Sequence, residues 1–124
     1  MIGYVTIGVR DMDAAKAYYS ELLSDLGASV LMDMERIAFI GTGMDAPMLA
    51  VCVPYNEGDP DPGNGNMVAI NAGDNATADK LYKKAMELGA TDEGEPGERI
   101  PGMFYGAYVR DLDGNKLCFY VMKS

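Results

Sequence analysis

The chain contains no histidine, so any chemistry it performs must run on tyrosine, cysteine, carboxylates, lysine or arginine. Ser-His-Asp and Cys-His nucleophilic centres, His-ligated metal sites and the usual general base near neutral pH are thereby excluded. Two cysteines, Cys52 and Cys118, stand far apart in the sequence. They read either as a reactive thiol pair or soft-metal site, or as two small buried hydrophobes, with no imidazole at hand to lower either thiol pKa. Tyr4, one of eight tyrosines in a chain without tryptophan, could orient a ligand through its hydroxyl or wall a pocket with its ring. Tyr105, Tyr108 and Tyr120 offer the same two roles. Arg36 and Arg99 are candidate anion-holding groups, with ordinary surface ion pairs as the alternative. Glu57, Asp59 and Asp61 lack the spacing and the terminal glutamate of a calcium loop, and read as solvated charge.

The elements that must position these residues occur twice. Val5-Thr6-Ile7-Gly8-Val9 is strand-like, and Asp11-Met12-Asp13 supplies a carboxylate cap for a helix. Ala15, Tyr18, Tyr19, Leu22 and Leu26 recur at helical spacing, and Gly27 stops the helix. Further on, Met67 to Ala72 reads as a strand, Asp74 or Asn75 as a cap, and Ala78, Leu81, Tyr82, Ala85 and Leu88 as a second apolar stripe closed by Gly89. A slide of about 63 positions superimposes these landmarks, which is the pattern of an internal repeat. Strands follow each helix: 29–33, 36–40 and 48–53 in the first half, 104–110 and 116–122 in the second, with Asp111-Leu112-Asp113-Gly114-Asn115 as a hairpin turn between the last two. Residues 56–65, rich in Gly, Pro and acid, read as a linker or mobile lid, and 93–102, carrying Pro96, Gly97 and Pro101, as a second loop.

Strand alternation divides these residues between two faces. Val5, Ile7 and Val9, Val68, Ile70 and Ala72, and Leu117, Phe119 and Val121 form apolar faces suited to lie under the helices. The opposite faces carry Tyr4, Thr6 and Gly8, Met67, Ala69 and Asn71, Cys118, Tyr120 and Met122, and, on the strand before the linker, Met48, Ala50 and Cys52. Small, polar and aromatic residues together suit a ligand cavity, since orienting groups must sit on apolar walls. A second, drier core layer is the alternative.

Composition agrees with a folded chain. At 124 residues, 48% apolar and 23% charged, it has the length of one domain and a typical globular make-up. Ten basic against nineteen acidic side chains give a net charge of −9, which repels phosphate backbones and anionic bilayers. No stretch approaches the roughly 20 apolar residues that span a membrane. The start of the sequence carries no signal-like core, so a cytoplasmic location is expected.

A doubled β-α-β-β-β plan with Tyr4-Val5-Thr6-Ile7-Gly8-Val9-Arg10-Asp11 at one end and Tyr108-Val109-Arg110-Asp111-Leu112-Asp113-Gly114-Asn115-Lys116-Leu117 near the other resembles the vicinal oxygen chelate superfamily. That group includes glyoxalase I, the bleomycin and fosfomycin resistance proteins and extradiol dioxygenases. The resemblance runs over essentially the whole chain. It implies an α+β fold in which two tandem β-α-β-β-β modules curl into one cup-shaped mixed sheet, a ligand site between modules, and homodimers in many members. It also implies a divalent metal held by a His or Gln on the first strand of each module and a Glu on the last. The matching positions here are Tyr4, Met67, Cys118 and, with a register uncertain by a residue or two, Ala50. Phenol, thioether and thiol do not make the hard oxygen and nitrogen site of these enzymes.

The expectation is one domain, 1–124, with module one at 1–55, a linker at 56–65 and module two at 66–124. Its function is expected to be the binding or sequestering of a small molecule, without metal, by a homodimer that contacts neither nucleic acid nor membrane. Tyr4, Arg36, Cys52, Met67, Tyr108 and Cys118 are the expected ligand-binding residues. Two alternatives stand beside this one. The first is a glyoxalase-like lyase or dioxygenase with an altered metal centre that recruits residues such as Glu21 or Cys52. The second is a non-catalytic interaction module whose cup is filled by its own side chains.

Overall fold

A computed structural model describes residues 1–123. Strand β1 (Tyr4–Gly8) leads into helix α1 (Met12–Leu23), extended by a 3-10 turn at Ser24–Leu26, and then β2 (Ser29–Asp33), β3 (Ile37–Gly41) and β4 (Met48–Cys52). The plan then repeats with β5 (Val68–Asn71), α2 (Asn75–Glu87), β6 (Thr91–Ile100), β7 (Phe104–Arg110) and β8 (Lys116–Met122). Two four-stranded mixed sheets result, in the orders β1-β4-β3-β2 and β5-β8-β7-β6. In each, the first strand runs parallel to the last and the remaining pairs are antiparallel. The doubling legible in the sequence is therefore a doubling of topology.

The chain divides into two compact units, Met1–Pro62 and Gly63–Ser124. Each builds its core between one helix and one sheet face. In the first, Ala15, Tyr18, Tyr19, Leu22 and Leu23 of α1 are buried together with Leu49, Val51, Ala38 and Ile40 of the sheet. In the second, Ala78, Leu81 and Ala85 of α2 are buried along with Leu117, Phe119 and Val109. A buried Leu or Phe contributes about 1.5–3 kcal/mol relative to exposure, which makes these stripes the main source of stability.

Both helices start with the same device. Asp11 Oδ1 accepts from Ala14 N at 3.0 Å, and Asp74 Oδ1 accepts from Thr77 N at 2.7 Å, each satisfying an amide that the helix leaves orphaned. Gly27, with φ of +79°, ends the 3-10 turn in the left-handed conformation that other residues adopt at a cost. The turn between β7 and β8 is built around Asp111, whose Oδ1 accepts from Asp113 N and Asn115 N, both at 2.9 Å, while Oδ2 accepts from Asn115 Nδ2 at 3.1 Å. The Asp-x-Asp-Gly-Asn segment is thus turn chemistry.

One element departs from expectation. Residues 93–102 read as a loop, yet β6 runs from Thr91 to Ile100 and pairs with β7. Its glycines and proline are absorbed by register shifts between Asp92 and Gly94, between Gly94 and Gly97, and between Glu98 and Ile100. An edge strand accommodates such bulges where a central strand would not. Among the described residues, no helix is long and apolar enough to cross a membrane.

Candidate functional site

Directly paired residues in a sheet share a face, so the register fixes which side chains meet on the side of each sheet away from its helix. In the first unit that face carries Tyr4, Thr6 and Gly8 beside Met48, Ala50 and Cys52, and beyond them Phe39 and Ile37. The Tyr4 ring meets Phe39 edge-on, 4.9 Å between centroids at 79°. Arg36, just before β3, donates from Nη1 to the Val53 carbonyl at 2.8 Å, and its guanidinium lies 5.3 Å from the centre of the Tyr55 ring.

The segment after β4 folds back over this face instead of leaving it. Pro60 packs so closely on Gly8 that a Cβ there would sit 2.8 Å from Pro60 Cβ. Side chain is absent at Gly8 because the strap needs the space. The strap is itself turned by Glu57 N donating to the Pro54 carbonyl at 2.8 Å and by Gly58 N donating to Asn56 Oδ1 at 3.0 Å. Between strap and sheet runs an open groove of about 530 Å³, lined by Tyr4, Thr6, Arg36, Cys52, Tyr55 and Asp59 among others. That volume falls in the range of about 300–1,000 Å³ typical of small-molecule sites.

The second unit presents a different cluster on its corresponding face. Tyr108 is the direct cross-strand partner of Cys118. The Cys118 thiol is buried, and burial is the main cause that raises its pKa, partly offset by the Tyr108 hydroxyl and by the charges of Arg99 and Lys116. Burial also pushes the Tyr108 phenol up, and the Cys118 thiol adds to the shift. Both groups are therefore protonated at neutral pH, which makes Cys118 a poor nucleophile. Arg99 and Lys116 lie over the Tyr108 ring, at 5.3 Å and 5.6 Å from its centre. On the same sheet Phe104 and Tyr120 stack with ring planes 2° apart.

Of the six residues singled out in the sequence, Tyr4, Arg36 and Cys52 come together in the groove of the first unit. Tyr108 and Cys118 meet in the second, and Met67 sits exposed just ahead of β5. Tyr55 and Phe39 were not singled out. The signal available for Tyr55 was an aromatic residue directly after a proline at a strand end, and for Phe39 its parity with Ile37 on a strand that follows Arg36.

A family model described as the Glyoxalase/Bleomycin resistance protein/Dioxygenase superfamily matches residues 1–119. The chain belongs to that superfamily. Among solved structures it is similar to a glyoxalase/bleomycin resistance protein from Albidiferax ferrireducens, with 29% identity, 99% of each chain covered and a TM-score of 0.89. A glyoxalase/bleomycin resistance protein/dioxygenase family enzyme from Burkholderia phytofirmans shares the fold at 18% identity, with 98% of each chain covered and a TM-score of 0.78. A lactoylglutathione lyase from Agrobacterium tumefaciens does so at 22% identity, with 98% of this chain and 92% of that one covered and a TM-score of 0.70. Among curated proteins none matches the sequence.

Proposed function

We propose that this superfamily member binds or sequesters a small organic molecule in the groove of its first unit, and does so without the divalent metal of the family's enzymes. The observation that carries the reading is the groove itself. Its open floor of Tyr4 and Thr6 is walled by Tyr55 and crossed by the Arg36 guanidinium. Aromatic rings offer a planar ligand large contact area, while Thr6 and Arg36 supply the few polar groups that fix its orientation.

The donor set argues against the metal. Tyr4, Ala50, Met67 and Cys118 stand where the family resemblance puts ligands. Ala50 has no donor atom, Met67 offers a thioether, and burial holds the Cys118 thiol in its protonated form. A thiol binds metal as its thiolate, and hard divalent ions select oxygen and nitrogen. Among the described residues, no three Asp, Glu or Cys side chains gather as a metal-holding group. No step of a lyase or dioxygenase reaction is derived for this set.

A thermal-shift panel of planar aromatic and thiol-conjugated compounds tests the reading. A ligand at 100 times its Kd adds about 2.7 kcal/mol, roughly 10 °C for a domain of this size. A hit should be lost in Tyr4→Ala and weakened in Arg36→Gln. A panel in which no compound moves the midpoint contradicts the proposal and favours an interaction module. The same reading takes the protein as a cytoplasmic homodimer, which light scattering of the purified chain checks for assembly.

A further inference from the structure

The Tyr108 cluster of the second unit shares no residue with the groove and has a charge pattern of its own. The chain holds ten basic side chains against nineteen acidic ones, so a cation has ample carboxylates to pair with. Lys16 pairs with Asp33 at 3.1 Å, and Arg110 with Glu93 at 2.6 Å. Arg99 and Lys116 do neither. Among the described residues, the Arg99 side chain donates to the Glu95 carbonyl and to no carboxylate. Both cations instead turn onto a single ring, at 5.3 Å and 5.6 Å from the centre of Tyr108. Among the described residues, no carboxylate pairs with either.

The arrangement is sterically reserved. A Cβ at Gly97 would meet Arg99 Nη1 at 2.9 Å, and one at Gly94 would meet Tyr108 Cδ2 at 3.0 Å and Arg99 Nη2 at 3.2 Å. Two glycines of β6 thus leave the space in which the guanidinium and the ring lie. One register shift of β6 falls between Glu98 and Ile100, at Arg99 itself, and bulges of this kind re-aim side chains. An oxyanion beside either cation supplies the negative charge that neither draws from a carboxylate among the described residues.

We propose that Arg99, Lys116 and the Tyr108 hydroxyl form a binding site for a small oxyanion, the carboxylate or phosphate group of an organic acid or phosphate ester. Guanidinium recognises such groups through paired N–H donors, ammonium supplies a point charge, and the phenol adds one O–H donor. The site draws on no residue of the first unit.

Titration of the full chain with inorganic phosphate and, separately, acetate tests this at constant ionic strength held with chloride. The readout is the NMR signals of the Arg99 side chain and the Tyr108 ring. At least one of the two anions should give a saturable shift, and the pair identifies which oxyanion the site prefers. Arg99→Gln and Lys116→Gln should each weaken binding about tenfold, Arg99→Lys should restore part of it, and Lys83→Gln on the exposed side of α2 should change nothing. Backbone spectra matching the unaltered chain establish that each variant folds, and Tyr108→Phe serves as the second probe should Arg99→Gln unfold. Failure of both anions to saturate, or equal weakening by Lys83→Gln, overturns the proposal.

Discussion

Replacing Gly8 by alanine tests whether the strap over the first sheet is a wall of the groove or merely lies against it. The new Cβ would stand 2.8 Å from Pro60 Cβ and 3.8 Å from Pro54 Cγ. Carbon atoms settle at about 3.5–4.0 Å, so the strap must retreat by about 1 Å. The backbone itself accepts the change, because Gly8 is not among the residues with positive φ. Alanine at a compatible glycine position stabilises by about 0.4–1 kcal/mol through the unfolded chain, whereas overpacking costs about 1–3 kcal/mol. Global stability should therefore stay within roughly 2 kcal/mol of the parent while the strap loosens. Amide exchange of Glu57 and Gly58, whose N–H groups hold the strap turn, should accelerate about tenfold, an opening easier by about 1.4 kcal/mol. Any groove ligand should weaken in step. Unchanged exchange of Glu57 and Gly58 would refute the reasoning. So would a global loss of several kcal/mol, which would place Pro60 in the core of the unit.

Other perturbations follow from single contacts. Asp11→Ala and Asp74→Ala each remove one helix cap and should cost about 1 kcal/mol in urea unfolding. Hydrogen bonding to Thr77 holds the Asp74 carboxyl below its ordinary range, so its contribution is present above the unfolded pKa and fades as pH falls through the folded one, and Asp74→Ala should be less acid-sensitive than its parent. Leu81→Ala, emptying a fully buried position on α2, should cost about 2–5 kcal/mol. Cys118 is held protonated by burial and should resist alkylation in the native state at pH 7, reacting only on unfolding, as mass spectrometry would show. Because its folded pKa is raised, stability should be full below the ordinary thiol range and decline as pH rises through it. That decline should shrink in Cys118→Ala.

What could be read from the sequence was whatever has a short-range cause. Caps at Asp11 and Asp74, stops at Gly27 and Gly89, and stripes through Tyr19 and Leu81 depend on neighbours within a few residues, and each takes its expected role. Strand parity separated the buried Val9, Leu117 and Phe119 from the exposed Tyr4 and Met67, but not the exposed Val5 or the buried Cys118, whose surroundings parity alone does not encode. β6 was hidden because Gly94, Pro96 and Gly97 carry breaker signals, and only pairing with β7 through bulges makes them a strand. The groove was half legible. Tyr4, Arg36 and Cys52 share parity or chemistry that marks them, but the return of Pro60 onto Gly8 is a contact across half a module that no local pattern encodes. The approach of both Arg99 and Lys116 to the Tyr108 ring escaped for the same reason, since it joins residues of three neighbouring strands.

The claim that this superfamily member works without a divalent metal is tested most directly by metal uptake on untagged protein, since a histidine tag would supply the ligands the chain lacks. The protein would be incubated with nickel, zinc, iron(II) or manganese, desalted, and its metal content measured by mass spectrometry. The donor set of Tyr4, Ala50, Met67 and Cys118 predicts far less than one ion per chain for every metal. One ion per chain, retained through desalting and lost in Tyr4→Phe or Cys118→Ala, would contradict the account and restore the lyase and dioxygenase chemistries to the discussion of this fold.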